Sequence, residues 1–123
     1  MTNIIQALLL AFAMVESSNR EQIFGDNGKA WGLYQFHETR WIEFGGKESN
    51  WGKAPRKEQD QIMAGYLIWA QKQAKKRNVD FIQFAATYHN NGHFVSKETG
   101  YVRKIRKQID GKVVIKTWKA YAQ

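Results

Sequence analysis

Glu16 ends a long apolar run, and this position raises the question of its charge. The run "IIQALLLAFAMV" (Ile4–Val15) has helical periodicity, and Glu16 follows Phe12 by four residues, so both project from one helix face. Burial and the negative end of the helix dipole both favour the protonated form of a carboxylic acid there. The pattern predicts an acid that keeps its proton near neutral pH. The alternative is a helix end exposed to solvent.

Asp26 supplies a second carboxylate from a glycine-punctuated loop. In "GDNGKAWG", Gly25 and Gly28 allow a tight turn that brings Asp26 back toward Glu16. Cleavage of a glycosidic bond needs an acid to protonate the leaving oxygen, and most glycosidases pair that acid with a second carboxylate. The alternative is an Asx-turn in which Asp26 bonds only its own loop. Glu16 and Asp26 are thus candidates for the catalytic pair of a glycosidase, and the Asx-turn is an equally open interpretation of Asp26.

Other side chains have the character needed to contact a sugar. Neutral hydrogen-bonding groups suited to sugar hydroxyls are present at Gln35, His89, Asn90 and Tyr101. Flat rings suited to stacking on sugar faces are present at Trp31, Tyr34, Trp41 and Trp51.

Helical patterns dominate the rest of the chain, and strand patterns are nearly absent. Helices are predicted over 37–44, over 54–77 with Pro55 in the first turn, over 79–90 with Asp80 as N-cap, and over 99–109. The tail, residues 112–122, is ambiguous between a β-branched strand and a short helix. We predict a mainly α single domain spanning residues 1–123, with about five to seven helices and one small β-hairpin near residues 23–34.

Composition and charge narrow the class of protein. The chain has 123 residues, no cysteine and 43% hydrophobic residues, which argues against disorder, a disulfide framework and thiol chemistry. Residues 1–50 contain four Lys and Arg against six Asp and Glu, whereas residues 51–123 contain fifteen against five. This asymmetry favours a polyanionic partner, which is nucleic acid, an anionic membrane surface or an acidic cell-wall polymer.

The apolar run at the start is not typical of a membrane span or a signal peptide. It is too short to cross a bilayer, lacks a basic n-region and has no convincing small-residue cleavage site. We expect it to be a buried helix of the domain itself.

Four short motifs resemble those of a known superfamily. The order is Glu16-Ser17, "GLYQ" (Gly32–Gln35), "AATYHNNG" (Ala85–Gly92) and "ETGYVRKI" (Glu98–Ile105). It resembles the lysozyme-like fold of soluble lytic transglycosylases and goose-type lysozymes, which read Glu-Ser, Gly-Leu-Met-Gln, Ala-Tyr-Asn-x-Gly and Glu-Thr-x-x-Tyr-Val. The pieces "GDNGKAWGLYQ" and "HNNG" are similar to invertebrate-type and some phage lysozymes.

The resemblance implies a lysozyme-like catalytic domain that cleaves peptidoglycan. Glu16 would be the general acid and then base, Ser17 would orient it, and Tyr101 would tune its proton. Substrate contacts would come from Ser17, Tyr34, Gln35, His89, Asn90 and Tyr101. No cofactor or metal is implied, the partners would be glycan strands and anionic wall polymers, and the protein would act as a monomer.

Departures from the family pattern leave the reaction type open. Tyr34 replaces Met, His89 stands where the family has Tyr, and the last motif is one residue shorter between Thr99 and Tyr101. A lytic transglycosylase needs one acid, because the muramic acid's own 6-hydroxyl attacks, whereas an inverting hydrolase needs a second group to activate water. Asp26 favours hydrolysis. Such an enzyme would act outside the cytoplasmic membrane, as a phage lysozyme or as a bacterial wall-remodelling enzyme.

Two further interpretations compete with the enzyme. Basic clusters at 72–77 and 103–107 fit a non-catalytic binder of nucleic acid or cell wall. No nucleic-acid recognition motif accompanies them, and a solvated helix surface explains them better than a nucleic-acid site does. His89 and His93 have i, i+4 spacing, but Gly92 interrupts the turn and no His-Glu-x-x-His pattern is present. We therefore predict no metal site and no nucleic-acid partner.

Overall fold

A computed structural model describes residues 3–110 of the chain, and helices dominate it. Five α-helices are formed there: α1 (Asn3–Ser17), α2 (Glu38–Glu43), α3 (Arg56–Arg77), α4 (Phe81–Asn91) and α5 (Gly100–Asp110). Three short strands form between α1 and α2: β1 (Phe24–Gly25), β2 (Ala30–Trp31) and β3 (Phe36–His37). The prediction of a mainly α fold with a small β element is confirmed. The ambiguous tail at 112–122 lies outside the described residues.

Local signals account for where the helices begin and end. The Asp80 side chain accepts a hydrogen bond of 2.9 Å from the Gln83 amide, so the predicted N-cap of α4 is confirmed. Left-handed residues end two helices, Asn78 (φ 54°) after α3 and Gly92 (φ 82°) after α4. Pro55 precedes α3 as its N-cap, where it leaves no intrahelical bond unmade.

The core forms where α1, α3, α4 and α5 pack together. Helix α1 lies against α5 and α3, and α4 lies against α3 and α5. The apolar face predicted for α1 is buried at Ile5, Leu8 and Phe12, each no more than 1% exposed. Their removal from water is the main source of stability for such a small domain. Within residues 3–110, none of the helices combines the length and the apolar character needed to cross a membrane.

The β element is an antiparallel sheet of three strands in the order β1-β2-β3. It is larger than the predicted hairpin, because the chain turns back once more after β2. Gly32 and Gln35 both have positive φ, at 89° and 53°, and the four-residue turn 32–35 pairs Trp31 with Phe36. A positive φ at a non-glycine residue is uncommon, so the residue types around Gln35 do not predict the third strand.

Candidate active site

A polar cleft of about 290 Å³ lies between the helices and the sheet. Its lining residues are Glu16, Asp26, Ala30, Gln35, His37, His89 and Asn90. The helical wall consists of Glu16, His89 and Asn90, and the sheet wall consists of Asp26, Gln35 and His37. Five residues predicted from widely separated motifs therefore line one cleft, whose volume is near the small end for ligand sites.

Glu16 is the buried acid of this cleft. Its side chain is only 18% exposed, and burial raises the pKa of the carboxyl from 4.5 to about 7. The chain leaves α1 directly after it, since Ser18 and Asn19 adopt left-handed conformations and their amides donate to the carbonyls of Met14 and Ala13. A carboxyl of this kind is protonated on a substantial fraction of molecules at neutral pH.

Tyr101 lies behind Glu16 on α5. Its ring packs against Phe12 at 6.2 Å between centroids, and its hydroxyl is buried. The hydroxyl acts on the Glu16 carboxyl as a donor and lowers its pKa, although less than burial raises it. The geometry falls outside that of a well-formed hydrogen bond. The contact is therefore weak, and it can strengthen when Glu16 becomes charged.

His89 is a neutral aromatic residue of the helical wall. Its ring packs edge-on against Phe12 at 5.4 Å and Phe36 at 5.5 Å, and its Nε2 donates to the Tyr34 carbonyl at 2.8 Å. Burial lowers its pKa from 6.5 to about 4. Nε2 lies 3.8 Å from Oε2 of Glu16, but the two groups form no ion pair at neutral pH because His89 is uncharged.

Ser17 and Tyr34, both predicted as substrate contacts, are buried in the core. Ser17 is 2% exposed, and its hydroxyl donates to the Ala13 carbonyl at 3.0 Å and accepts from the Arg20 amide at 3.1 Å. Tyr34 is 1% exposed, and its hydroxyl donates to Asp60 at 2.5 Å. Both side chains hold local structure: Ser17 secures the end of α1, and Tyr34 attaches the turn before Gln35 to α3.

The candidate stacking rings are also core residues. Trp31 and Trp41 are at most 1% exposed and meet edge-on at 6.2 Å. Trp51 is half-buried, with its indole nitrogen donating to the Phe36 carbonyl at 2.9 Å. The cleft is therefore polar on both walls, and its ligand would be held mainly by hydrogen bonds.

The Gln35 side chain hydrogen-bonds the backbone on either side of the first two strands and so holds the sheet wall together. Its side-chain amide donates to the carbonyls of Ile23 at 3.1 Å and Gly32 at 2.9 Å. The carboxamide oxygen occupies the space where a Cβ on Gly25 would lie, only 2.2 Å away. Gly25 is thus required for close approach of this side chain to β1.

Gln59 on α3 is a buried clamp that the sequence analysis missed. Its Oε1 accepts from the Leu33 amide at 2.8 Å, and its Nε2 donates to the carbonyls of Glu21 at 3.1 Å and Ala54 at 3.0 Å. A Cβ on Gly32 would lie 2.3 Å from that Oε1. Gln59 precedes Ile62 by three residues on the buried face of α3, and this spacing could have indicated that its side chain is buried.

Asp26 and His37 meet on the sheet wall. Oδ2 of Asp26 lies 3.0 Å from Nε2 of His37, and their side chains are 58% and 51% exposed. The sequence predicts Asp26 alone as a site residue, because the helical pattern over 37–44 includes His37 only as a helix start. The structure places His37 at the end of β3, one residue before α2 begins.

The cleft continues into a longer groove. An adjoining pocket of about 240 Å³ shares Gln35, His37, His89 and Asn90 with it and extends to Thr39, Arg40 and Gly92. A third pocket continues past Thr39 and Arg40 to Glu43 and Tyr88. The Arg40 guanidinium lies 4.6 Å from the centre of the Tyr88 ring and 2.8 Å from Glu43. A groove made of three adjoining pockets suits a polymer better than a single small molecule.

The part of the chain that the structure describes contains no group of three or more His, Cys, Asp or Glu side chains placed to hold a metal ion. His89 is buried in the helical wall, and His93 is exposed beyond Gly92. No protein-family model matches the chain, and searches of curated proteins and of solved structures gave no significant match.

Proposed function

We propose that the protein is a muramidase that cleaves the β-1,4 bond between N-acetylmuramic acid and N-acetylglucosamine in peptidoglycan, with Glu16 as the general acid. The observation that supports this most is a carboxyl with a pKa raised to about 7 on the wall of an open polar cleft. Burying an acid without a cationic partner costs folding free energy, and catalytic sites are where that cost is usually found.

Protonated Glu16 would donate its proton to the glycosidic oxygen as the bond to the anomeric carbon lengthens. The resulting carboxylate is the form that the Tyr101 hydroxyl favours, so the contact would strengthen as charge develops on the acid. His89 is uncharged, so it would not hold Glu16 in the ionised form before the reaction. These features support a proton donor more than a nucleophile.

The reaction that we favour is hydrolysis, with lytic transglycosylation as the alternative. Asp26 lines the same cleft as Glu16, and an inverting hydrolase needs such a second polar group to activate water. A transglycosylase would leave Asp26 without a chemical role.

The groove and the charge of the chain support a wall polymer as substrate. Amide and imidazole groups at Gln35, Asn90 and His37 suit sugar hydroxyls and acetamido groups. The net charge of +8 would draw the protein to the carboxylates and phosphates of the wall. In this proposal the enzyme acts as a monomer outside the cytoplasmic membrane and needs no cofactor.

The test is mass spectrometry of purified peptidoglycan after digestion by the wild type, Glu16→Gln and the exposed control Glu21→Gln. We expect fragments with reducing ends from the wild type and the control, and a loss of about 10²–10⁴-fold for Glu16→Gln because the proton donor is gone. Fragments with 1,6-anhydro ends would indicate a transglycosylase. Full activity of Glu16→Gln would refute Glu16 as the acid.

The second candidate is a non-catalytic basic binder. Lys72, Lys75, Lys76 and Arg77 are exposed at the end of α3, and Arg103, Lys104 and Lys107 are exposed on α5. Such clusters can contact phosphates of nucleic acid or of wall polymers. Tight, salt-dependent polymer binding by the wild type without any cleavage products would favour this candidate.

A further inference from the structure

A cross-strand row explains why Asp26 and His37 meet. In the three-stranded sheet, Gly25 pairs with Ala30 and Ala30 pairs with His37, so these residues form one row across the strands. Asp26 follows Gly25 directly. Ala30 contributes only a methyl group in the middle of the row, which leaves room for the carboxylate and the imidazole to approach to 3.0 Å.

The backbone around Asp26 is held in an uncommon conformation. Asp26 and Asn27 have φ values of 51° and 56°, and Gly28 follows at 85°. Consecutive left-handed residues cost conformational free energy, and they persist where the surrounding structure requires them. Here they carry Asp26 to the cleft, where it faces Nε2 of His37 beside the helical wall that holds Glu16.

We propose that His37, oriented by Asp26, is the general base that activates water in the cleavage reaction; this inference depends on the proposed function. A proton on Nε2 directed at the Asp26 carboxylate leaves Nδ1 as the basic nitrogen of the ring. An imidazole can donate through one ring nitrogen and take a proton on the other, so the pair suits water activation better than Asp26 alone.

The step balances as a hydrolysis. The water oxygen forms a bond to the anomeric carbon while the bond from that carbon to the glycosidic oxygen breaks. Nδ1 of His37 takes one proton from the water, and Glu16 gives its proton to the leaving oxygen. The imidazolium is stabilised by Asp26 and then returns its proton to solvent, while Glu16 regains one. Attack on the face opposite the leaving group inverts the configuration, so the first product of a β bond is the α-anomer.

The experiment compares His37→Ala with His93→Ala, an exposed histidine outside the cleft. Cleavage of soluble peptidoglycan fragments is followed by NMR, with and without added imidazole. We expect His37→Ala to lose about 10²–10³-fold in kcat/KM. Added imidazole should restore part of this loss, because a small base can occupy the space that the side chain leaves. His93→Ala should match the wild type in both conditions, and the wild type should release the α-anomer first.

His37→Gln serves as a second variant that preserves a polar side chain at the end of β3. It should be as inactive as His37→Ala while unfolding at the wild-type temperature. Activity of His37→Ala equal to that of His93→Ala, a loss that imidazole does not relieve, or products of retained or 1,6-anhydro form would each overturn the role of His37. These results leave the proposed function standing as long as Glu16→Gln is inactive. Activity of Glu16→Gln is the separate result that would remove the proposed function itself.

Discussion

The two walls of the cleft use opposite physical means to prepare their side chains. On the helical wall, Glu16 and His89 are 18% and 5% exposed, and burial makes the neutral form of each more favourable. On the sheet wall, Asp26 and His37 are more than half exposed and face each other at 3.0 Å. On the helical wall, burial in the apolar core shifts the pKa values of Glu16 and His89. On the sheet wall, backbone conformation positions the polar side chains of Asp26 and His37.

This difference shows where each wall is vulnerable. Glu16 of the helical wall depends on core packing around Phe12 and Tyr101, so its burial should tolerate changes in the loops, whereas His89 also bonds the Tyr34 carbonyl of the turn 32–35. The sheet wall depends on a few hydrogen bonds from α3 and on turns with positive φ, so a single distant substitution can displace it. The comparison can therefore be tested by changing one wall at a time.

Gln59→Leu should damage the sheet wall and leave Glu16, the acid of the helical wall, in place. The change removes three hydrogen bonds and leaves the buried Leu33 amide without its partner, so we expect a loss of about 3–5 kcal/mol in the free energy of unfolding. Gln61→Leu, an exposed position on the same helix, is the matched control and should be close to neutral.

Urea unfolding measures the stability of both Gln59→Leu and Gln61→Leu, and NMR titration follows the Glu16 carboxyl. In the folded Gln59→Leu variant the pKa of Glu16 should remain raised, because Glu16 lies on α1 and its neighbours His89 and Tyr101 lie on α4 and α5. Equal midpoints for the two variants would show that Gln59 is not a clamp.

Glu16 and His89 should cancel each other's effect on the pH dependence of stability. Folding raises the pKa of Glu16 from 4.5 to about 7 and lowers that of His89 from 6.5 to about 4. Between pH 4.5 and 6.5 the folded glutamate binds a proton that the unfolded one lacks, and the folded histidine lacks a proton that the unfolded one binds. Glu16 and His89 together therefore bind nearly the same number of protons in the folded state as in the unfolded state.

Single variants should reveal that Glu16 and His89 have opposite effects on how the free energy of unfolding changes with pH. Glu16→Gln leaves only His89, whose contribution to stability is lost as pH falls from 6.5 toward 4. His89→Phe leaves only Glu16, whose contribution makes stability fall as pH rises from 4.5 toward 7. Each change in the free energy of unfolding should reach about 2–3 kcal/mol across the pH range concerned. Urea unfolding at several pH values measures them, and parallel curves for the three proteins would contradict the assignment.

Of the variants considered, Tyr101→Phe should have the smallest effect, a shift in the pKa of Glu16 on the helical wall. Its hydroxyl lowers the pKa of Glu16, so removing it should raise that pKa further and move the alkaline limb of the activity profile to higher pH. The phenyl ring preserves the packing against Phe12, so the fold should be retained. The measurement is kcat/KM on soluble peptidoglycan fragments as a function of pH. An alkaline limb that stays in place or moves to lower pH would show that the hydroxyl does not favour the charged acid.

Sequence periodicity was sufficient to predict the elements that carry the helical wall. The spacing of Leu8, Phe12 and Glu16 placed the acid on the buried face of α1, and the raised pKa of Glu16 agrees with that prediction. Asp80 marked the start of α4, which carries His89 and Asn90. These signals are local, since a helix face and a cap depend on residues only three or four positions apart.

The sheet wall could be predicted only in part, because long-range contacts determine it. Gln59 reaches a backbone amide 26 residues earlier in the chain, and no local pattern encodes that contact. The positive φ of Gln35 follows from tertiary structure and not from its residue type. Tyr34 was expected at the substrate, but its hydroxyl reaches Asp60 on α3. The resemblance to lysozymes rests on sequence motifs alone and stays a prediction.

The attachment of the turn 32–35 to α3 has a consequence for how a ligand would be received. Successive residues of α3, Gln59 and Asp60, hold successive residues of the turn, Leu33 and Tyr34. The turn therefore has little conformational freedom left to lose when a ligand arrives. An arriving glycan strand would meet a cleft wall already in its final conformation, so the entropic cost of association would fall mainly on the flexible polymer.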